Sequence, residues 1–252
     1  MQEKLLLNSN IDEAEKKQLG KRTLVSLFII LVLIPITIWF GITYLNDRKY
    51  YYISMLMIIY VMVPFFMVFE NREPRARELI VISVLTATVV IGRTIFFMIP
   101  AFKPMIAIVI IAGVTFGAES GFLVGAMSAF VSNFIFGQGP WTPWQMFSLG
   151  LIGFIAGVLQ QKGLLKKSKL NLCIFGCIST YLIYGGIMNF ASILMYSNTI
   201  TKPMLIATYV SGIPYDTVHA AATVFFMYFL SDTMIEKLDR IKLKYGMLHG
   251  NS

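Results

Sequence analysis

The feature that most constrains this chain is a succession of apolar runs, several of which approach or exceed the roughly 20 residues needed to cross a hydrocarbon core about 30 Å thick. They fall at residues 23–45, 50–69, 79–97, 105–116, 121–136, 144–159, 170–195 and 204–230. Read as helices, they predict an all-α membrane protein with eight transmembrane helices. A single signal peptide does not account for them, because the first run follows a mixed-charge tail and lacks a small-residue cleavage pattern. Composition agrees: 57% of the residues are hydrophobic, only 13% are charged, and the mean hydropathy is +0.72, values typical of integral membrane proteins.

The punctuation between the runs suggests an organisation. Residues 1–22 read as a cytoplasmic polar tail. Residues 23–76 read as an accessory two-helix extension with its linker, kinked at Pro35 and Pro64, and the boundary falls within the charged stretch from Glu70 to Glu78. Residues 77–232 hold the remaining six spans, with a tight turn at 117–120, a basic loop at 162–169 and a polar turn at 198–202. Residues 233–252 form a charged tail.

A formal charge of +8 invites a nucleic-acid reading, but the basic residues sit between the apolar runs instead of forming one face. Topology explains them better. With the amino terminus inside, the inner segments hold Lys4, Lys16, Lys17, Lys21, Arg22, Arg72, Arg75, Arg77, Lys162, Lys166, Lys167, Lys169, Lys237, Arg240, Lys242 and Lys244. The outer segments hold Arg48, Lys49, Lys103 and Lys202. Such a bias predicts a multi-pass cell-membrane protein with both termini cytoplasmic, surrounded by lipid and without a nucleic-acid partner.

Two segments on the predicted outer side are poor at spanning lipid and suited to closing over a small molecule. One runs from Phe96 to Pro104 and the other from Gly137 to Gln145. Both mix aromatic rings, prolines and hydrogen-bonding groups. Arg93 lies near the outer end of its span, where an unpaired charge in lipid costs at least about 3 kcal/mol. It either snorkels to the interface or faces a cavity and meets an anionic or carbonyl-bearing ligand. Asn133, Gln138, Gln145 and Asn189 lie at similar depth, as interhelical hydrogen bonds or as ligand contacts. Trp141 and Trp144 suit either an aromatic belt or a binding wall.

Tyr215, Asp216 and His219 follow Gly212-Ile213-Pro214 within the last span. Asp216 and His219 share a helix face and could pair, as a ligand-binding or gating group or as a buried structural pair. Small residues recur at helical spacing at Ser83 and Ala87, at Gly121, Gly125 and Ala129, and at Gly150, Gly153 and Gly157. Each stripe suits internal packing or docking of a partner helix. Cys173 and Cys177 sit within an apolar run and read as packing residues, so no metal site or cofactor is expected. A Walker phosphate loop and the HExxH, GxSxG and CxxC constellations are all missing from the sequence, which argues against ATP hydrolysis by that route and against protease, acyltransferase or redox activity.

The segments Ala112-Gly113-Val114-Thr115-Phe116-Gly117-Ala118-Glu119-Ser120-Gly121-Phe122-Leu123-Val124-Gly125-Ala126 and Phe134-Ile135-Phe136-Gly137-Gln138-Gly139-Pro140-Trp141-Thr142-Pro143-Trp144-Gln145-Met146 resemble the substrate-binding S component of energy-coupling factor (ECF) vitamin transporters. The resemblance spans about residues 77–230 and implies a six-helix core, here preceded by two additional N-terminal helices. It further implies a protein that is not an enzyme and that binds a vitamin at the outer face. A transmembrane coupling subunit and two ATPase subunits would then drive delivery inward.

In that family small residues on the first core helix dock on the coupling subunit. The matching residues here are Ser83 and Ala87, with serine in the first small position where the family usually has alanine. Ligand contacts come from the loops matching residues 96–103 and 138–145. On this basis Trp141, Trp144, Phe97 and Phe102 would supply flat walls, and Arg93, Asn133, Gln138, Asn189 and Asp216 would orient polar groups. Lys103, Thr142, Gln145, Tyr215 and His219 complete the candidate set, while Gly137 and Gly139 let the loop close. The two added spans make cobalamin or a related corrinoid the first candidate; a queuosine precursor, riboflavin, pantothenate or another small vitamin stays open. The alternative from another class is a self-sufficient proton-coupled carrier using Asp216 and His219.

Overall fold

The computed structural model describes residues 76–196 and 200–244, together with short stretches at 28–33, 36, 56 and 60. The expected first two spans, the charged linker before Ala76 and the last residues of the tail therefore lie outside the described residues, except for those short stretches.

All the regular structure among the described residues of the core is helical: α1 (Ala76–Ile95), α2 (Met105–Phe116), α3 (Ala118–Phe136), α4 (Thr142–Gln161), α5 (Lys169–Ser179), α6 (Gly186–Tyr196) and α7 (Lys202–Lys244). A π-helical segment, Thr180–Gly185, joins α5 to α6, so the two form one apolar path from Lys169 to Tyr196. Five of the described paths are long and apolar enough to cross a membrane, and α2 is a shorter apolar helix of 12 residues. In lipid every backbone donor must be satisfied within its own segment, which is why such runs coil.

The sequence places a turn over residues 117–120, but only Gly117 breaks the helix. It adopts φ +96, which favours glycine, and caps α2 through a 2.9 Å bond to the Gly113 carbonyl, so α3 begins at Ala118. The last helix likewise outruns its expected end at residue 230. It continues to Lys244 because Ile235 and Leu238 are buried and Lys242 donates to the Thr115 carbonyl at 2.9 Å.

Helix α2 is apolar all round because it is enclosed all round: every residue from Met105 to Thr115 is buried. Around it α3 and α4 meet backbone to backbone. A methyl group on Gly121 would lie 2.5 Å from the Gly153 carbonyl oxygen, and one on Gly150 would lie 2.9 Å from the Phe122 ring. The stripes at Gly121, Gly125 and Ala129 and at Gly150, Gly153 and Gly157 are therefore internal packing surfaces. In a solvent as apolar as the core, close van der Waals approach is what holds helices together. Ser83 and Ala87 instead lie on the exposed face of α1, beside Ile80, Val84 and Ile91.

One end of the bundle carries the basic side chains with carboxylate partners: Lys167–Asp239 at 3.0 Å and Lys169–Asp232 at 3.1 Å. The opposite end carries Arg93, the 96–104 segment and the 137–141 segment. There the first segment is tied down by an aromatic cluster, with Phe96 and Phe102 packed on Phe226 at centroid distances of 4.9 and 5.2 Å. Ala101, at φ +57 and 2% exposed, holds the left-handed turn that directs Phe102 inward.

Candidate functional site

At this second end, Arg93 on the last turn of α1 faces the carboxyl end of α3 and the start of α4. Its Nη1 donates to Ser132 Oγ at 2.5 Å and to Asn133 Oδ1 at 2.8 Å. Asn133 is fully buried and returns two bonds from Nδ2, to Thr142 Oγ1 and Gln145 Oε1, each 2.9 Å. Thr142 also accepts from the Gly139 backbone N–H at 3.3 Å, which anchors the second outer segment to the same network. A buried amide that meets partners on two neighbouring helices fixes the relative rotation of all three, because any slip leaves polar atoms unsatisfied in an apolar medium.

The guanidinium also lies over the Phe136 ring, 4.6 Å from its centroid, and Phe97 stacks on Phe136 at 5.2 Å. The two outer segments therefore meet through Phe97, at the tip of the first, and Phe136, just before the second.

A second polar group is built by the π-helical segment and α7. Extra residues in one turn turn Tyr184 and Gly185 toward α7. Tyr184 meets the His219 ring edge-on at 4.9 Å, and Tyr215 also meets it edge-on, at 5.4 Å. Asn189 Nδ2 donates to Asp216 Oδ2 at 2.9 Å. Asp216 and His219 are both buried, yet they are not bonded to each other; the pairing that their spacing allowed is replaced by the Asn189 bond. His219 Nδ1 and Trp144 Nε1 are buried without a hydrogen-bond partner among the described residues.

Lys103 donates to the Ile99 carbonyl at 3.0 Å from the first outer segment. Partial burial, and then the nearby Arg93, hold its ammonium below the usual lysine range.

The remaining candidates divide. Phe97 is exposed at the tip of its segment, while Phe102 serves the inner aromatic cluster. Trp141 is half-buried and folds over Gly139. Trp144, read as a binding wall or a belt residue, is 2% exposed and belongs to the core. Gln138 is exposed and donates to the Phe130 carbonyl at 3.0 Å, which ties the loop to α3. Ser132, Phe136 and Tyr184 join the site without having been singled out in the sequence. Tyr184 had one legible signal, a polar-tipped ring beside Gly185-Gly186 inside an apolar run. Among the described residues no cluster of three His, Cys, Asp or Glu side chains could hold a metal ion.

The fold and this site define a polytopic helical membrane protein with a cation, amides and aromatic rings gathered at one end of a six-helix core. The chain belongs to the family described as "ECF-type riboflavin transporter, S component", whose model matches residues 75–235. It is thus a substrate-binding type of membrane transport subunit. A UPF0397 protein of Vibrio atlanticus is 27% identical over 139 residues, covering 50% of this chain and 76% of the relative. A UPF0397 protein of Aliivibrio fischeri is 29% identical over 143 residues, covering 50% and 75% respectively. No solved structure matches the chain.

Proposed function

We propose that this chain captures a vitamin-class small molecule at the extracellular face, between the two outer segments and the Tyr184–His219 group, and releases it inward. Release would depend on a transmembrane coupling subunit and two ATPases, consistent with the absence of a Walker loop from the sequence. Both termini would be cytoplasmic, with residues 77–232 as the receptor core and the two preceding spans as an accessory unit. The observation that carries this reading is the Arg93–Asn133 network, which links a cation to both outer segments and leaves aromatic faces beside it. Ser83 and Ala87 would meet the coupling subunit from the exposed face of α1.

A corrinoid is the first ligand to offer, on the strength of the two added spans, and riboflavin the second, because the family description names it. The test is purification of the full chain and mass spectrometry of copurifying small molecules, followed by uptake in proteoliposomes. A bound vitamin, with uptake only when the coupling and ATPase subunits are added, supports the proposal. Uptake by the lone protein under a pH gradient supports the proton-coupled carrier built on Asp216 and His219 instead.

A further inference from the structure

Both hydrogen bonds of Arg93 leave from Nη1. Its Nε–Nη2 edge, the side of a guanidinium that matches two carboxylate or phosphate oxygens, has no partner among the described residues. The two acceptors that Arg93 does hold, a hydroxyl and an amide oxygen, are neutral. The ion pairs among the described residues, Lys167–Asp239, Lys169–Asp232 and Arg240–Glu236, all lie at the other end of the bundle. Lys103 reaches a backbone carbonyl and is close enough to Arg93 for the two charges to repel. His219, at the same end, has a buried Nδ1 that is also without a partner among the described residues. The nearby carboxylate, Asp216, accepts a hydrogen bond from the neutral Asn189 amide and is bonded to neither cation. This end of the protein therefore holds two cations, partly out of water, against one carboxylate that forms a salt bridge with neither of them among the described residues. Such an arrangement is unfavourable until an anion enters it.

We infer that the ligand carries an anionic group, a carboxylate or a phosphate, which Arg93 receives on its Nε–Nη2 edge with Lys103 alongside. The ligand's ring system lies against Tyr184 and Tyr215. This rests on the receptor reading above and narrows it, because it separates neutral riboflavin from its 5′-phosphate.

The test is isothermal titration of the full chain in detergent with matched pairs that differ in the charged group: riboflavin and riboflavin 5′-phosphate, biotin and biotinamide, pantothenate and panthenol. In whichever pair binds, the charged member is expected to bind at least about tenfold tighter, in line with a charge-assisted bidentate contact. Whether that pair carries phosphate or carboxylate identifies the group. Arg93→Lys should lose part of the preference, and Arg93→Gln and Lys103→Gln should erase or reduce it toward the neutral affinity. Lys103→Gln lies in a loop, so it keeps the test informative if Arg93 variants fail to fold. A neutral member that binds as tightly as its charged partner overturns the inference and leaves the receptor reading standing. Should no pair bind, the charge of the copurifying molecule decides: an acid supports the inference, and a neutral or cationic molecule overturns it. No binding and no copurifying molecule overturns both.

Discussion

Asn189 and Asp216 are joined by a 2.9 Å hydrogen bond, and each side chain lies against a glycine of the other's helical path. A methyl group on Gly185 would sit 2.6 Å from Asp216 Oδ2, and one on Gly212 would sit 2.6 Å from Asn189 Oδ1. Neither short side chain can move aside without giving up the bond. Gly185→Ala or Gly212→Ala should therefore destabilise the protein by about 1–3 kcal/mol, the usual range for overpacking, and weaken ligand binding as well. Thermal unfolding in detergent, with titration of the copurified ligand, checks both effects.

Asn133 is the hub of the other polar group. Its replacement by leucine removes three side-chain bonds and leaves Arg93, Thr142 and Gln145 short of partners. At roughly 0.6 kcal/mol for each bond within a membrane, Asn133→Leu should lower stability by about 2 kcal/mol. A melt unchanged from that of the unmodified protein would show that the network is not formed in the membrane protein as purified.

The two classes of glycine should respond differently. Gly121→Ala drives a methyl group into the Gly153 carbonyl, so the α3–α4 contact must open, with a loss of about 3 kcal/mol or more. Gly163→Ala meets nothing within 4 Å and bears only the cost of φ +73, about 1–2 kcal/mol. Comparing unfolding and monodispersity of the two variants separates packing from backbone strain.

Ser83→Leu with Ala87→Leu enlarges an exposed face and touches no part of the polar site. Ligand affinity should stay within about twofold, because exposed substitutions usually change stability by less than about 0.5 kcal/mol. Copurification with the coupling subunit should fall at least tenfold. Undiminished complex formation would place the docking surface elsewhere.

Much of this architecture was legible, and the gaps have physical causes. Within residues 76–244, run lengths located the helices, because lipid dictates span length. The rotation of each helix was not written in the sequence. A run apolar on every side gives no signal as to which face turns inward, and so the stripe at Gly121 and Gly125 read the same as the one at Ser83 and Ala87. The shared face of Asp216 and His219 was visible from spacing, and both are buried. Their actual partners come from the Lys169–Tyr196 path, whose π-helical segment alters the register that a 3.6-residue period would assign to Tyr184 and Asn189. Trp144 looked like a binding wall because tryptophans near a membrane edge so often are. The start of α4 at Thr142 instead turns it into the core.

Helix α7 is 43 residues long, and at 1.5 Å per residue it measures about 64 Å, twice the thickness of the hydrocarbon layer. No tilt within the usual range hides such a rod, so it must stand in water at one end or both. Its lower portion is gripped by Lys167, Lys169 and the Thr115 carbonyl, while its upper portion holds Asp216 and His219. A force applied to the lower portion is transmitted along a stiff shaft to the polar end, where Pro214 removes one rung of the backbone ladder.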